Sequence, residues 1–196
     1  LVRPNNPTGV IFPRERLLAW HANLVARGGW LLVDEAFMDA TPEQSLLIHA
    51  RPGLIVLRSL GKFFGLAGAR VGFVHAQVEL LTRLADRLGP WGVSGPARWV
   101  ASAALGDKAW QAEARLRLMQ SGERLSELLR RYGLKPEGGC ALFQWVITPR
   151  AASIHQSLAR RGILIRLFNH PHSLRFGLPG LEKDWRRLGA ALEACQ

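Results

Sequence analysis

The segment RSLGKFFGLAGARVG, residues 58–72, places one lysine where a covalent bond to a carbonyl group is chemically favoured. Lys62 is one of four lysines in a chain with twenty-two arginines, and the apolar pair Phe63 and Phe64 follows it directly. An amine attacks a carbonyl only when it is partly deprotonated, which requires desolvation or a cationic neighbour. We expect Phe63 and Phe64 to desolvate the amine and Arg70 to be its cationic neighbour.

Other kinds of site fit the sequence less well. A phosphate-binding loop, G-x-x-x-x-G-K-[ST], would need glycine where Val56 stands and serine or threonine where Phe63 stands. The dinucleotide fingerprint G-x-G-x-x-G fails because the glycines of this segment have the wrong spacing. His170 and His172 flank a proline with no carboxylate or cysteine nearby, so we interpret them as loop histidines and expect no metal site.

Several polar residues follow predicted strands. Apolar runs that predict strands cover residues 30–36, 54–59 and 70–76. Helical stretches such as 13–27 alternate with them, which indicates an α/β sheet whose ligands gather at the carboxyl ends of the strands. Asp34 closes one strand, Ser59 and Lys62 follow the next, and the NNPTG turn at 5–9 follows a strand that we place at the start of the chain.

The second half of the chain predicts a long helix and a smaller domain. Periodic apolar positions cover residues 107–132, with Asp107 as the N-cap and Gly133 as the stop. Beyond this helix, strand-like runs at 140–148, 163–168 and 173–178 alternate with helical runs at 152–162 and 182–195. We therefore predict three parts: the C-terminal part of a large α/β domain over 1–106, a connecting helix over 107–132, and a small α+β domain over 133–196.

The polar residues near Lys62 are of the types that pyridoxal 5'-phosphate requires. Its pyridinium nitrogen needs a carboxylate, its hydroxyl needs a hydrogen-bond donor, and its phosphate needs an arginine with hydroxyl or backbone N–H groups. Asp34, Asn6, Arg70 and Ser59 have side chains for these roles. Each of them, taken alone, also fits an ordinary position in a turn or at the surface.

Three motifs carry a family resemblance. The motifs are N-N-P-T-G (5–9), D-E-A-F (34–37) and S-L-G-K-x-x-G-L-A-G-x-R-x-G (59–72). In type and order they resemble those of the fold-type I pyridoxal-phosphate enzymes in the class I and II aminotransferase family. The resemblance implies a large cofactor-binding domain with a mainly parallel sheet, a smaller α+β domain after it, and a homodimer.

The resemblance also implies roles for individual residues. Lys62 would bond covalently to the cofactor aldehyde, Asp34 would pair with the ring nitrogen, and Asn6 would bond to the ring hydroxyl. Ser59 and Arg70 would hold the cofactor phosphate. In the segment LRFGLPG, the arginine that corresponds to the family's ligand of the substrate carboxylate is Arg175.

Within the family, DEAFMDATPEQS and LRFGLPG resemble the branch of the threonine-phosphate decarboxylases of cobalamin biosynthesis. The near alternative is the histidinol-phosphate aminotransferases, and a further alternative is a fragment without activity of its own. Many aminotransferases have a tyrosine where this chain has Phe37, which cannot donate to the ring hydroxyl, so transamination is less favoured. A phosphorylated amino-acid substrate needs a second cation, and we nominate Arg166 because it resembles an arginine of the histidinol-phosphate enzymes.

Composition and the ends of the chain indicate which partners and which cellular location to expect. The net charge is +11, but the arginines are spread along the chain without a basic stripe interleaved with aromatic residues, so we expect no nucleic-acid partner. No apolar run approaches the ~20 residues of a membrane span. Cys140 and Cys195 form no pattern, which favours a reducing, cytoplasmic setting. The start LVRPNNPTGV has neither an initiator methionine nor a signal-peptide layout, and we expect the chain to be the C-terminal portion of a longer protein.

Overall fold

The computed structural model describes residues 1–49 and 51–195, so Ala50 and Gln196 of the predicted domains lie outside the described residues. The chain folds as two compact units. The first unit comprises residues 1–6 and 10–115, and the second comprises residues 7–9 and the chain from 116 onward. The boundary between the units lies inside the long helix, whereas the three-part division at 107 and 133 stays a prediction from the sequence.

The centre of the first unit is a three-stranded sheet. Its strands are β1 (Leu31–Asp34), β2 (Leu54–Ser59) and β3 (Gly72–His75), with helix α1 (Arg14–Val25) before them. β1 and β2 are parallel, as predicted, and Val2 extends the pairing through a parallel bridge to Asp34. The apolar residues that form the core beneath these strands are Leu17, Leu31, Val33, Leu46, Leu54 and Val56.

The third strand runs antiparallel to β2, which the apolar pattern alone did not indicate. Ser59, the last residue of β2, pairs with Gly72, the first residue of β3. Because β3 runs in the opposite direction, the residues before it lie at the same edge of the sheet as the residues after β2. Arg70 is therefore placed near the end of β2 even though it precedes its own strand.

Three helices follow the sheet along the chain: α2 (Val78–Leu88), α3 (Gly95–Gly106) and α4 (Lys108–Arg131). The predicted limits of α4 are confirmed. Asp107 Oδ1 accepts a hydrogen bond of 2.9 Å from the backbone N–H of Trp110, as an N-cap does. Gly133 has a φ of 70°, the left-handed conformation in which helices commonly end.

The second unit contains a four-stranded antiparallel sheet in the order β4-β5-β7-β6. The elements are β4 (Gly138–Cys140), β5 (Phe143–Ile147), α5 (Ala151–Arg160), β6 (Arg166–Asn169), β7 (His172–Gly177) and α6 (Glu182–Glu193). The residues that form the buried core, from the end of α4, the sheet and both later helices, include Leu125, Leu129, Val146, Ile154, Leu158, Leu174, Phe176, Trp185 and Leu192. The α/β class with a following α+β part is confirmed.

One predicted strand is divided in two. The run at 140–148 was expected as a single strand, but β4 and β5 form a hairpin that begins two residues earlier, at Gly138. Glycines weaken a strand signal, and here they are required by close packing. A Cβ at Gly138 would collide with the carbonyl oxygen of Thr8, and one at Gly139, whose φ is 150°, would lie 2.5 Å from the carbonyl oxygen of Phe143.

A buried carboxylate joins several segments of the first unit. Glu35, which is 0% exposed, accepts hydrogen bonds from Ser45 Oγ at 2.5 Å and from the backbone N–H of Leu46 at 2.9 Å. It also forms ion pairs with Arg3 at 3.5 Å and with Arg58 at 3.3 Å. The ends of β1 and β2, the start of the chain and the loop between the strands are thereby held together.

We predict that Glu35→Ala lowers the free energy of unfolding by about 3–5 kcal/mol, because it removes the buried counter-charge of Arg3 and leaves Arg58 with its ion pair to Asp39. Urea denaturation followed by circular dichroism measures this change. The matched control is Glu182→Ala, whose partner Arg124 and own carboxylate are both exposed, and it should leave the midpoint almost unchanged. Equal midpoints for the two variants would show that the Glu35 network does not hold the unit together.

Candidate active site

The carboxyl edge of the first sheet brings together the ends of three chain segments. Asp34 ends β1 and pairs with Leu57 of β2, two residues before Ser59. Asp34 also forms the parallel bridge to Val2, after which the NNPTG turn follows. Because these pairings are parallel, the residues that follow each segment emerge at one edge.

The carboxylate of Asp34 is half-buried at this edge. Its Oδ1 accepts a hydrogen bond of 2.9 Å from the backbone N–H of Ala36. Its backbone N–H donates to the carbonyl of Leu1 at 2.8 Å, and its own carbonyl accepts from the N–H of Arg3 at 2.8 Å. The carboxylate is thus fixed in position by main-chain contacts on both sides and has the acidic chemistry that a pyridinium nitrogen requires.

Lys62 lies in a tight turn directly after β2 and is exposed in this chain. The carbonyl of Lys62 accepts a hydrogen bond of 3.1 Å from the N–H of Gly65, and the N–H of Leu66 donates to Leu60 at 3.0 Å. The Nζ atom lies 5.5 Å from the centroid of the Phe37 ring, close enough for a cation–π contact. The amine is therefore presented by a structured turn and not by a loose loop.

The aromatic neighbour of Lys62 is not the pair that the sequence suggested. Phe63 and Phe64 are buried and pack against Trp110, with ring centroids 5.6 Å and 5.9 Å from it. The expectation that these two rings desolvate the amine was wrong, because Lys62 is exposed while both rings pack against Trp110. The ring beside the amine belongs to Phe37, which comes from the segment after β1.

Ser59 and Arg70 line one small cavity of about 190 Å³, whose other lining residues are Gly61, Leu66, Ala67, Val71 and Gly72. Ser59 Oγ accepts a hydrogen bond of 3.1 Å from the N–H of Gly61. A hydroxyl, a guanidinium and turn backbone are the groups that bind a phosphate. The two residues nominated for the cofactor phosphate are therefore brought together by the β2–β3 connection.

Arg70 has an unusual backbone conformation. Its φ is 53°, in the left-handed region, where a non-glycine residue costs about 1–3 kcal/mol and is found mostly where surrounding structure imposes it. Its Nη1 donates to the carbonyl of Ala67 at 3.4 Å, and the side chain is otherwise exposed. The strain is local to the residue that turns the chain from the short helical turn Ala67–Ala69 into β3.

Asn6 lies in the turn between Asn5 and Val10, which is closed by a hydrogen bond of 2.9 Å from the N–H of Asn5 to the carbonyl of Val10. The side chain of Asn6 is exposed. Gly9, at the end of this turn, has a φ of 73° and has no room for a Cβ because the backbone of Gly139 is adjacent. The turn is thus shaped by its own hydrogen bond and by the glycine contact within the second unit.

The two arginines nominated for the substrate lie on neighbouring strands of the second unit. Arg166 on β6 pairs directly with Arg175 on β7. The guanidinium of Arg175 lies 5.2 Å from the centroid of the Phe143 ring. Burial lowers the pKa of Arg175, and the neighbouring positive charge of Arg166 lowers this pKa further. Like charges in a cross-strand pair are destabilising, so the pair is suited to an anion that lies against both.

Two residues that support Lys62 were missed from the sequence. Trp110 and Arg115 both lie in the first half of α4 and contact the segment after Lys62. A tryptophan and an arginine on a charged helix give no local signal of such a contact, since their partners are more than forty residues away in the sequence.

In the described part of the chain, no group of three or more histidine, cysteine or acidic side chains is placed to hold a metal.

None of the helices in residues 1–49 and 51–195 has the length and apolar character needed to cross a membrane.

Comparison with known proteins gives consistent matches along the whole chain. The family model of class I and II aminotransferases matches residues 1–191. The threonine-phosphate decarboxylase of Pseudomonas aeruginosa is 60% identical over 193 residues, which cover 98% of this chain and 58% of that protein. Histidinol-phosphate aminotransferase 2 of Gluconobacter oxydans is 32% identical over 205 residues, which cover 100% of this chain and 54% of that protein.

A solved structure agrees with these matches. The histidinol-phosphate aminotransferase of Sinorhizobium meliloti in complex with pyridoxal-5'-phosphate has a TM-score of 0.87 and 27% identity, covering 100% of this chain and 56% of that one. The chain spans 58% of the length of the Pseudomonas relative. The resemblance seen in the three motifs is confirmed, and the chain belongs to the class I and II aminotransferase family.

Proposed function

We propose that the protein to which this sequence belongs is a pyridoxal-phosphate-dependent decarboxylase. Its substrate would be L-threonine O-3-phosphate, and its products carbon dioxide and 1-amino-2-propanol phosphate, a step of cobalamin biosynthesis. The observation that carries this proposal is the 60% identity to a threonine-phosphate decarboxylase over 98% of the chain, against 32% for a histidinol-phosphate aminotransferase. The residues at the edge of the first sheet support the same cofactor.

The cofactor roles follow from the chemistry of the residues at that edge. Lys62 would hold the cofactor covalently through its aldehyde, and the half-buried carboxylate of Asp34 would pair with the ring nitrogen. Asn6 would bind the ring hydroxyl, while Ser59 and Arg70 would bind the phosphate in the cavity they share. When bound, pyridoxal phosphate supplies an electron-withdrawing ring that stabilises negative charge developing on the substrate carbon. Once the substrate amine takes its place on the aldehyde, the protonated amine of Lys62 would be positioned to give a proton to this carbon.

Substrate binding is assigned to the arginine pair of the second unit. Arg175 binds the substrate carboxylate, and Arg166 binds the substrate phosphate. Arginine suits both groups because its planar guanidinium donates two parallel hydrogen bonds to either anion. A small substrate with two anionic groups also matches two cations on directly paired residues.

The family resemblance of the motifs supports a homodimer.

The cysteines Cys140 and Cys195 are both free thiols, which supports a reducing, cytoplasmic setting.

A histidinol-phosphate aminotransferase is the second candidate, favoured by the TM-score of 0.87 to such an enzyme in complex with pyridoxal-5'-phosphate. It would need the same cofactor residues, so these do not distinguish the two reactions. Phe37 favours the decarboxylase, since its apolar ring beside Lys62 cannot donate a hydrogen bond to the cofactor hydroxyl. The products distinguish the two reactions. A decarboxylase forms carbon dioxide and an amine, whereas an aminotransferase forms a keto compound and leaves the cofactor in its amine form.

The cofactor proposal predicts which lysine reacts. When the chain is incubated with pyridoxal phosphate and then reduced with borohydride, mass spectrometry of the peptides should find the label on Lys62 in preference to the other three lysines. Lys62→Ala should abolish this label and the accompanying visible absorbance band. Lys183→Ala is the matched control, because Lys183 is exposed on α6, and it should leave both unchanged. Labelling spread evenly over all four lysines would argue against a cofactor site.

The substrate proposal predicts that Arg175 and Arg166 bind different groups of the substrate. Arg175→Ala should weaken binding of both threonine phosphate and threonine by about 10- to 100-fold, the usual cost of losing a charge-assisted hydrogen bond. Arg166→Ala should weaken binding of threonine phosphate by a similar factor and leave threonine binding unchanged. Isothermal titration calorimetry of the cofactor-loaded chain measures these affinities. Arg160→Ala, at an exposed position on α5, is the control, and equal losses for both ligands in Arg166→Ala would remove its phosphate assignment.

A further inference from the structure

We propose that Arg115 and Trp110 on α4 are positioning residues for Lys62, holding its turn against the segment that carries Phe37. The inference rests on the proposed function in one respect, namely that Lys62 is the lysine that bonds to the cofactor. The contacts that support it all lie within the first unit. Their contacts are to rings and backbone on either side of the lysine, and both residues would act through these contacts.

Trp110 anchors the residues that follow Lys62. Its ring is stacked on Phe64, with an interplanar angle of 19° and a centroid distance of 5.9 Å, and meets Phe63 edge-on at 5.6 Å. Phe63 and Phe64 also contact each other edge-on at 5.0 Å. Such aromatic contacts have preferred geometries, so three rings in mutual contact restrict the orientation of the turn more than apolar burial alone does.

Arg115 joins the two segments that meet at Lys62. Its guanidinium lies 5.4 Å from the centroid of the Phe63 ring, one residue after the lysine. Its Nε donates a hydrogen bond of 3.0 Å to the carbonyl of Asp39, in the short helical turn that begins directly after Phe37. The side chain of Arg115 therefore joins Phe63, the residue after Lys62, to Asp39, which lies two residues after Phe37.

The side chain of Arg115 is also held by Gln111, which contacts the end of α3. Its Nη2 lies 3.5 Å from Oε1 of Gln111, one helical turn earlier. Gln111 is buried, and its amide donates to the carbonyls of Ala104 at 2.9 Å and Leu105 at 3.1 Å, which end α3. The end of α3 thus orients Gln111, Gln111 orients Arg115, and Arg115 sets the distance between the Lys62 turn and the Phe37 segment.

This arrangement explains why an exposed lysine is held at a defined place. The Nζ atom lies 5.5 Å from the Phe37 ring, and both partners are tied to the same helix by contacts of their sequence neighbours. Reactions between bound groups lose rate steeply when a reacting group is displaced, about 100-fold for 1 Å. A helix that fixes both segments is therefore a means of keeping the amine where a cofactor aldehyde would meet it.

The test uses Arg115→Ala in two measurements, the first on the cofactor-free chain. Hydrogen exchange should become about tenfold faster at the amides of Gly65 and Leu66, whose bonds close the Lys62 turn, and at Thr41 after the Phe37 segment. Amides of the second sheet, such as those of β5, should keep their exchange rates. In the second measurement, borohydride trapping of pyridoxal phosphate should lose about tenfold in its preference for Lys62 over the other three lysines.

Two further variants make the test independent of folding defects. Arg130→Ala on the same helix is the matched control, because its Nε contacts only Ser126 in its own helix among the hydrogen bonds described. Arg115→Lys keeps the charge and the helix propensity but lacks the planar guanidinium that makes both contacts, so it should fold normally and show the same two changes.

Unchanged exchange in the Lys62 turn would overturn the inference, and so would faster exchange spread evenly over both units, which would indicate a general loss of stability. Faster local exchange without any loss of lysine preference would also overturn it. If the unaltered chain fails to trap the cofactor on Lys62, the proposed function is wrong, and the exchange measurement still decides whether Arg115 holds the turn.

Discussion

The buried carboxylate of Glu35 is the constraint on which the first unit depends. Its partners come from different segments, Arg3 at the start of the chain, Ser45 in the loop after β1 and Arg58 near the end of β2. A charge with 0% exposure is costly unless it is paired and hydrogen-bonded, and these groups provide both kinds of contact. Their convergence fixes the carboxyl ends of both strands, and the adjacent Asp34 is left half-buried at the edge where the lysine turn begins.

Arg70 lies at the same edge of the sheet because β3 runs antiparallel to β2. Parallel strands would have carried Arg70 to the opposite edge, but the antiparallel pairing of Ser59 with Gly72 returns the chain to where β2 ended. The return is tight enough to hold Arg70 at a φ of 53°. Strain of this kind persists only where surrounding contacts impose it, and here it lies at a residue that lines the small cavity together with Ser59.

Local sequence patterns predicted the features that are determined by residues close in the sequence, such as the ends of helices and strands. The limits of β2 and of α4 agree with the apolar run and with the capping residues Asp107 and Gly133, because these signals lie within the elements themselves. The direction of β3, the hairpin at Gly138 and the packing of Phe63 against Trp110 depend on distant partners. No periodicity within a segment contains that information, so the candidate residues were predictable while their supports were not.

The two candidate reactions place different demands on the groups that bind the substrate. Contacts to the carboxylate stabilise the substrate before decarboxylation and are lost as carbon dioxide leaves, so binding energy invested there opposes the reaction. Contacts to a phosphate persist from substrate to product and impose no such penalty. Threonine phosphate presents a carboxylate and a phosphate, whereas histidinol phosphate presents a phosphate and no carboxylate. The direct cross-strand pairing of Arg166 with Arg175 places two cations side by side. Under the roles proposed for them above, a pair of cations matches the two anionic groups of the decarboxylase substrate.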